Sequence, residues 1–194
     1  MFAAVIALGS CSSETASPAP PPSKAVVEAG KPTLPVGEVV STATENPALA
    51  VEAEGLRLFN KQTGSARPVA FGAPRDDVLK MLSYRGRPET GQNGECGAGP
   101  LDFANWADGL GLFFQKDKFV GWNLNPRGDL AITTASGIGP GSSRSDLETA
   151  YAAKISKTTL GTEFAAGELF GLLDGMGPTA KITHMWGGVS CNFR

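Results

Sequence analysis

Two eleven-residue stretches set 69 positions apart share one pattern. Gly72 to Leu82 reads GAPRDDVLKML and Gly141 to Tyr151 reads GSSRSDLETAY. At that single offset Gly72 meets Gly141, Arg75 meets Arg144, Asp77 meets Asp146, Val78 meets Leu147 and Leu82 meets Tyr151. Each stretch spells a short helix: a turn glycine, Pro or Ser near the start, acids in the first turns where the helix dipole favours them, then apolar residues at helical spacing. Ser142 or Ser143 is the expected N-cap of the second helix.

Strand-like material follows each helix. After the first, Leu101 to Trp106, Leu110 to Gln115 and Lys118 to Leu124 are separated by turn signals at Asp108-Gly109 and Lys116-Asp117. After the second, the candidates are Lys157 to Leu160, Glu168 to Leu173 and Ala180 to Trp186, with a turn at Asp174-Gly175. Trp122 and Trp186 both fall in the last strand of their series. A further strand pair, Gly55 to Asn60 and Ala66 to Phe71, precedes the first helix. The expectation is an α+β fold of two tandem units, residues 55–126 and 127–194, each a short helix packed on an antiparallel meander.

What precedes residue 55 has a different composition. Phe2 to Leu8 is the only hydrophobic stretch there, and it runs into Leu8-Gly9-Ser10-Cys11, the order of a bacterial lipobox. Residues 1–10 therefore read as a signal peptide, shortened and without a basic start, and Cys11 as its lipidation site. A start assigned too far downstream accounts for both departures, and the alternative is a short N-terminus with an accidental cysteine. Residues 11–54 read as a disordered Pro/Ala/Ser-rich tether, with half of the fourteen prolines before residue 48. Such a segment buries too little apolar surface to offset its ordering entropy and predicts a spacer reaching on the order of 40 Å. Ser12 after the lipobox points to the outer membrane. No apolar run approaches the roughly 18 to 20 residues of a membrane-crossing helix.

Charge and cysteine usage fit that placement. From Ser12 to Glu54 there are six acids against two bases, which leaves fifteen bases and thirteen acids from Gly55 onward. With no basic stripe to neutralise phosphates, nucleic acid is not an expected partner. If Cys11 carries lipid, Cys96 and Cys191 remain as the two partners one disulfide needs in an oxidising periplasm. Closing that loop of about 95 residues would stabilise the fold by roughly 4 to 5 kcal/mol through chain entropy. Two unrelated buried thiols are the alternative.

Catalytic and cofactor signals are sparse. Gly137-Ile138-Gly139-Pro140-Gly141 follows an apparent strand, Leu130 to Thr134, and opens a helix, the placement of a phosphate-binding loop in a nucleotide-dependent oxidoreductase. Ser142 stands where the third fingerprint glycine belongs, and no acid-ended strand follows at the required distance. His184 is the single histidine, which removes a two-histidine metal site. On a strand it would share a face with Ile182 and Trp186 as a partly buried residue, and no Gly-x-Ser-x-Gly elbow accompanies it. Asp76, Asp77, Glu95, Asp102 and Asp108 are spread over helix, loop and strand and read as surface acids. The repeated Arg75/Asp77 and Arg144/Asp146 spacing suggests a shared structural ion pair. No cofactor or metal is expected.

Aromatic residues carry the stronger signal. Phe103, Trp106, Phe113, Phe114, Phe119 and Trp122 crowd into twenty residues, and alternation places Phe113 opposite Leu112 and Phe114. Trp106, Phe113 and Trp122 are thus the candidate binding surface, with core packing as the alternative.

The order of a Gly-x-x-Arg-x-Asp-apolar helix and an antiparallel sheet, occurring twice behind a lipobox and spacer, resembles the small bacterial envelope lipoproteins with a fold similar to the β-lactamase inhibitor protein. The resemblance covers about residues 55–194. It implies binding to other proteins, and the tether, the duplicated α+β unit and the aromatic excess together lead to the expectation of a noncatalytic protein, lipid-anchored and periplasm-facing, that binds another envelope protein or a cell-wall component. A small envelope enzyme (a hydrolase, or an oxidoreductase using Gly137 to Gly141) and a structural lipoprotein without a specific ligand are the alternatives.

Overall fold

A computed structural model of the chain describes residues 45–125 and 131–191. The chain divides into two units, Met1–Ser41 and Thr42–Arg194, and every described residue belongs to the second. The expected signal segment, Cys11 and the spacer up to residue 44 lie outside the described residues.

Three antiparallel strands come first, β1 (Ala48–Glu52), β2 (Gly55–Phe59) and β3 (Ala66–Ala70), hydrogen-bonded in the order β1-β2-β3. β1 corrects the expected tether boundary: the chain is already paired in a sheet at Ala48, seven residues before Gly55. Its sequence, ALAVE, continues the alanine-rich composition of the preceding run, so nothing local marks where spacer ends and strand begins.

Helix α1 (Arg75–Met81) and a 3-10 turn at Ser83–Arg85 lead into β4 (Glu89–Asn93), β5 (Leu101–Asn105), β6 (Leu110–Gln115) and β7 (Lys118–Leu124). Helix α2 (Arg144–Ala150) leads into β8 (Lys154–Thr158), β9 (Gly161–Ala166), β10 (Leu169–Leu173) and β11 (Ile182–Gly188). These eight strands form one antiparallel sheet in the order β4-β5-β6-β7-β11-β10-β9-β8. The fold class is α+β, dominated by antiparallel sheet, with two α-helices among the described residues. Two strands differ from expectation. β4, ETGQN, has no apolar residue to reveal it, and the single strand expected at Lys157 to Leu160 is the β8–β9 hairpin, turning at residues 159 and 160.

Both helices start for local reasons. Ser143 caps α2: its hydroxyl accepts the Asp146 N–H while the Asp146 carboxylate accepts the Ser143 N–H, a reciprocal box that leaves neither donor orphaned. At α1 the N-cap is Pro74, which has no side-chain acceptor to offer. The Arg75/Asp77 and Arg144/Asp146 pairs expected from the repeat do not form. Arg75 instead reaches Asp102 at 3.4 Å and stands 5.4 Å over the Phe114 ring, and Arg144 pairs with Glu148 at 2.7 Å.

One face of the eight-stranded sheet is closed. Leu112, Phe114, Trp122, Leu124, Phe164, Leu169, Leu173 and Met185 are buried there, in one cluster with Val51, Leu56 and Val69 of the small sheet and with Val78 and Leu147 of the helices. Trp122 shows why this side is the core. Its ring is fully buried, and its indole N–H donates to the Glu52 carbonyl at 2.8 Å, joining the two sheets. Burying a ring of this size contributes about 4 to 6 kcal/mol at ~25 cal/mol per Å².

Candidate functional site

The opposite face of the same sheet carries no helix or strand among the described residues, and strand register says what stands on it. One row of mutually paired residues crosses all eight strands: Glu89, Asn105, Gly111, Asn123, Trp186, Phe170, Ala165 and Lys154. A second row is Gly91, Phe103, Phe113, Gly121 and Gly188. A third runs His184, Leu172, Glu163 and Ser156. Phe103, Phe113, Asn123, Phe170, Leu172 and His184 are all partly exposed, unlike their neighbours on the closed face, whereas Trp186 and Glu163 on the same face are buried, each 7 % exposed.

At the centre of this face Asn123 pairs with Trp186 across β7 and β11. The Trp186 ring stacks on Phe170 with centroids 6.4 Å apart and planes 18° from parallel. On the other side Asn123 leans over Gly111, where an added Cβ would lie 2.0 Å from Asn123 Oδ1 and 2.7 Å from Asn105 Oδ1. Glycine at 111 is what lets two side-chain carbonyls converge there. Asn123 Oδ1 is buried and finds no hydrogen-bond partner among the described residues. A buried acceptor left open costs about 1–3 kcal/mol unless something supplies a donor.

Beside this centre lies a cleft of about 320 Å³ lined by Asn123, Asn125, Leu160, Leu172, His184, Trp186 and Cys191. His184 has its pKa lowered by burial, and its Nδ1 meets Thr183 Oγ1 at 3.1 Å. A larger hollow of about 700 Å³ between β3 and α1 is edged by the exposed charges of Arg67, Asp77 and Lys80.

Of the three aromatics expected to form a binding surface, two belong to the core. Trp122 is fully buried on the closed face, and Trp106 is 5 % exposed with its indole N–H donated to the Gly86 carbonyl at 3.1 Å. Phe113 alone stands on the uncovered face. Trp122 and Trp186 do fall in the last strand of each run, β7 and β11, but they point to opposite faces: Trp122 sits opposite Gly187, and Trp186 opposite Asn123. His184 does share its face with Trp186. Ile182 does not, because a register shift between Leu172 and Leu173 turns Ile182 into the core.

The remaining candidates do not converge on a catalytic centre. Asp102 is held by Arg75 and by Gln92 at 3.0 Å, Asp108 pairs with Arg85, Asp76 and Asp77 are exposed in the first turn of α1, and Glu95 is exposed in the β4–β5 loop. The Gly137 to Gly141 loop is not a phosphate cradle. Its preceding segment makes one isolated bridge rather than a strand of a parallel sheet, the Ile138 N–H donates to Thr134 Oγ1, and the Gly139 N–H donates to Ser142 Oγ. Cys96 and Cys191 are free thiols, the first buried and the second half-buried, and burial, with a contribution from the neighbouring Cys96, raises the Cys191 pKa. Among the described residues no group of three or more His, Cys, Asp and Glu side chains is placed to hold a metal.

No family model, curated protein or solved structure matches this chain.

Proposed function

We propose that this chain is a noncatalytic bacterial envelope lipoprotein, anchored through Cys11, that binds another envelope protein through the sheet face around Phe113, Phe170 and His184, with the buried Trp186 stacked on Phe170. The observation that carries this reading is the eight-residue row. It has a stacked aromatic pair and two amide side chains in the middle and opposite charges, Glu89 and Lys154, at its ends. An aromatic centre within a polar rim is the anatomy of a protein interface. Seven strand spacings make the face about 34 Å wide, and its three rows cover on the order of 500 Å². A standard interface takes about 800 Å² per partner, which the loops at the sheet ends would complete.

We read the folded unit as two tandem helix-plus-meander units, and repeated hydrogen bonds support this. Gly72 N–H donates to Phe119 O at 2.7 Å and Gly141 N–H to Ile182 O at 2.8 Å. Phe119 N–H donates to Ala73 O and Ile182 N–H to Ser142 O, both at 2.9 Å. Arg75 N–H donates to Asp117 O at 2.9 Å and Arg144 N–H to Ala180 O at 2.7 Å. Helix-side positions are 69 apart and strand-side positions 63 apart throughout. Gly72 and Gly141 have φ of 90° and 89°. In this correspondence Trp122 matches Met185, and Asn123 matches Trp186. The paired residues Asn123 and Trp186 then lie on the local two-fold axis between the units. This arrangement is similar to that expected of lipoproteins resembling the β-lactamase inhibitor protein, most of which bind other proteins.

One observation favours a second reading. A stacked Phe170–Trp186 pair flanked by Asn123 and Asn125 beside a cleft of about 320 Å³ has the chemistry to take a sugar ring of the cell wall. Photo-crosslinkers placed at Phe113 and Phe170 in cells separate the two: a discrete protein adduct supports the first reading, and transfer of label to peptidoglycan alone supports the second. Radiolabelled palmitate that is incorporated into the chain and lost in Cys11→Ala supports the anchor; no incorporation rejects it.

A further inference from the structure

The chain's last described residues do not leave the sheet at its edge; they cross the uncovered face. β11 ends at Gly188 opposite Gly121 of β7, and the next residue, Val189, donates its N–H to Val120 O at 2.9 Å. A Cβ on Gly121 would stand 1.9 Å from the Val189 carbonyl oxygen, so the backbone can lie this low only over a glycine. Two residues on, Cys191 Sγ accepts a hydrogen bond from Asn93 Nδ2 at 3.4 Å. Asn93 is on β4, three strand spacings from β7, or about 14 Å. Three residues of extended chain plus two side chains are just long enough to make that crossing.

The receiving loop is itself held in place. Asn93 Oδ1 accepts the Glu95 N–H at 2.9 Å, Gly99 N–H donates to Cys96 O at 2.9 Å, and the Gln115 amide donates to Ala98 O at 3.1 Å. Together these fix Cys96, buried, in the loop that leaves β4 at Asn93, the residue whose amide engages the Cys191 thiol. Cys191 also lines the cleft next to Trp186.

We propose that Cys96 and Cys191 form a disulfide that fastens residues 189–191 as a strap across the β4 end of the uncovered face and fixes one wall of the cleft. Two thiols brought together from positions 96 and 191 by hydrogen bonds to separate elements are preorganised for closure. The oxidant is a protein or small-molecule disulfide. One thiolate attacks the donor S–S bond, giving a mixed disulfide and a donor thiolate. The second thiolate then displaces the other donor sulfur and closes the Cys96–Cys191 bond. Two electrons pass to the donor, and the two protons lost by the chain's thiols are matched by two taken up by the donor's. Burial and the neighbouring Cys96 push the Cys191 thiol up to about 11, so closure accelerates as pH rises through the alkaline range.

The inference rests on the envelope reading only for its natural oxidant, and the test separates the two. The full chain is isolated from cells, alkylated in denaturant without reductant, digested, and analysed by mass spectrometry; a second sample is treated with oxidised glutathione after purification. The expected result in both is a linked pair of peptides carrying Cys96 and Cys191, 2 Da lighter than the reduced pair, by loss of two hydrogens. Full alkylation of both cysteines after glutathione treatment overturns the disulfide. A link that forms with glutathione but is missing from the protein taken from cells overturns the oxidising compartment instead and upholds the pairing. The strap has its own readout in amide hydrogen exchange. Reduction, or Cys191→Ser, should speed exchange at Val189 at least tenfold while β9 and β10 are unchanged; equal exchange at Val189 in both states rules the strap out.

Discussion

Asn123 and Trp186 face each other across the two central strands of the eight-stranded sheet, one leaning over Gly111 and the other stacked on Phe170. The pair divides the sheet's two faces by task. Immediately beside it, with alternation reversed, Trp122 and Met185 enter the core. Several measurable consequences depend on which side of the sheet a residue occupies.

Trp122→Ala should lower unfolding free energy by about 3–5 kcal/mol, since it removes a fully buried ring and leaves the Glu52 carbonyl without its donor. Phe113→Ala, on the uncovered face, should cost about 1 kcal/mol or less. Urea denaturation of the two variants measures the difference, and equal losses would mean that Phe113 is also core.

Gly111→Ala tests the crowding at the centre. The new methyl group would meet Asn123 Oδ1 at 2.0 Å, so Asn123 must move, at a cost of about 1–3 kcal/mol. Pairing the substitution with Asn123→Ala should recover most of that loss, a coupling that a double-mutant cycle reads directly.

Ser143→Ala removes the hydroxyl half of the α2 capping box and should cost about 1 kcal/mol at neutral pH. Hydrogen bonds from Ser143 hold the Asp146 carboxyl below the usual carboxylate range. The stability this contributes is therefore full above the unfolded-state pKa and is lost as pH falls through the lower, folded value. The gap between the wild-type chain and Ser143→Ala should narrow as pH falls through the lowered pKa of Asp146, leaving the part due to the Asp146 N–H bond to the Ser143 hydroxyl; a constant gap across the acid range would contradict the assignment.

His184 titrates with the same sign for a different reason. Burial lowers its pKa, so the neutral ring is the folded form, and its contribution is present above the unfolded value near 6.5 and declines as pH drops below it. His184→Gln should flatten the stability profile below about pH 6.5. An unchanged slope there would show that His184 is not the group responsible.

Much of the secondary structure was legible because local chemistry marked it. The Lys116-Asp117 turn has both residues in the left-handed region, φ 51° and 57°, as a tight hairpin demands, and α2 was announced by its serines. What escaped had no local mark: β4 is polar throughout, and β1 shares its composition with the run before it. The site was misread where the count of aromatics outweighed alternation. Period two along β7 assigns Trp122 and Leu124 to one face and Gly121 and Asn123 to the other, yet the tryptophan drew attention and the asparagine did not. No pattern within a single strand could show that Phe170, Trp186 and Asn123 belong to one row, because that row depends on the register of β10, β11 and β7, residues distant in sequence.

The central claim is that the uncovered face binds another envelope protein. Photo-crosslinking in cells measures it most directly, with the probe at Phe113 or Phe170 and, as controls, at Lys80 on α1 and Glu148 on α2, both exposed. The account predicts one discrete protein adduct from the face positions, abolished by Trp186→Ala, and none from the helix positions. Adducts of equal yield from all four sites, or from the helices alone, would contradict it.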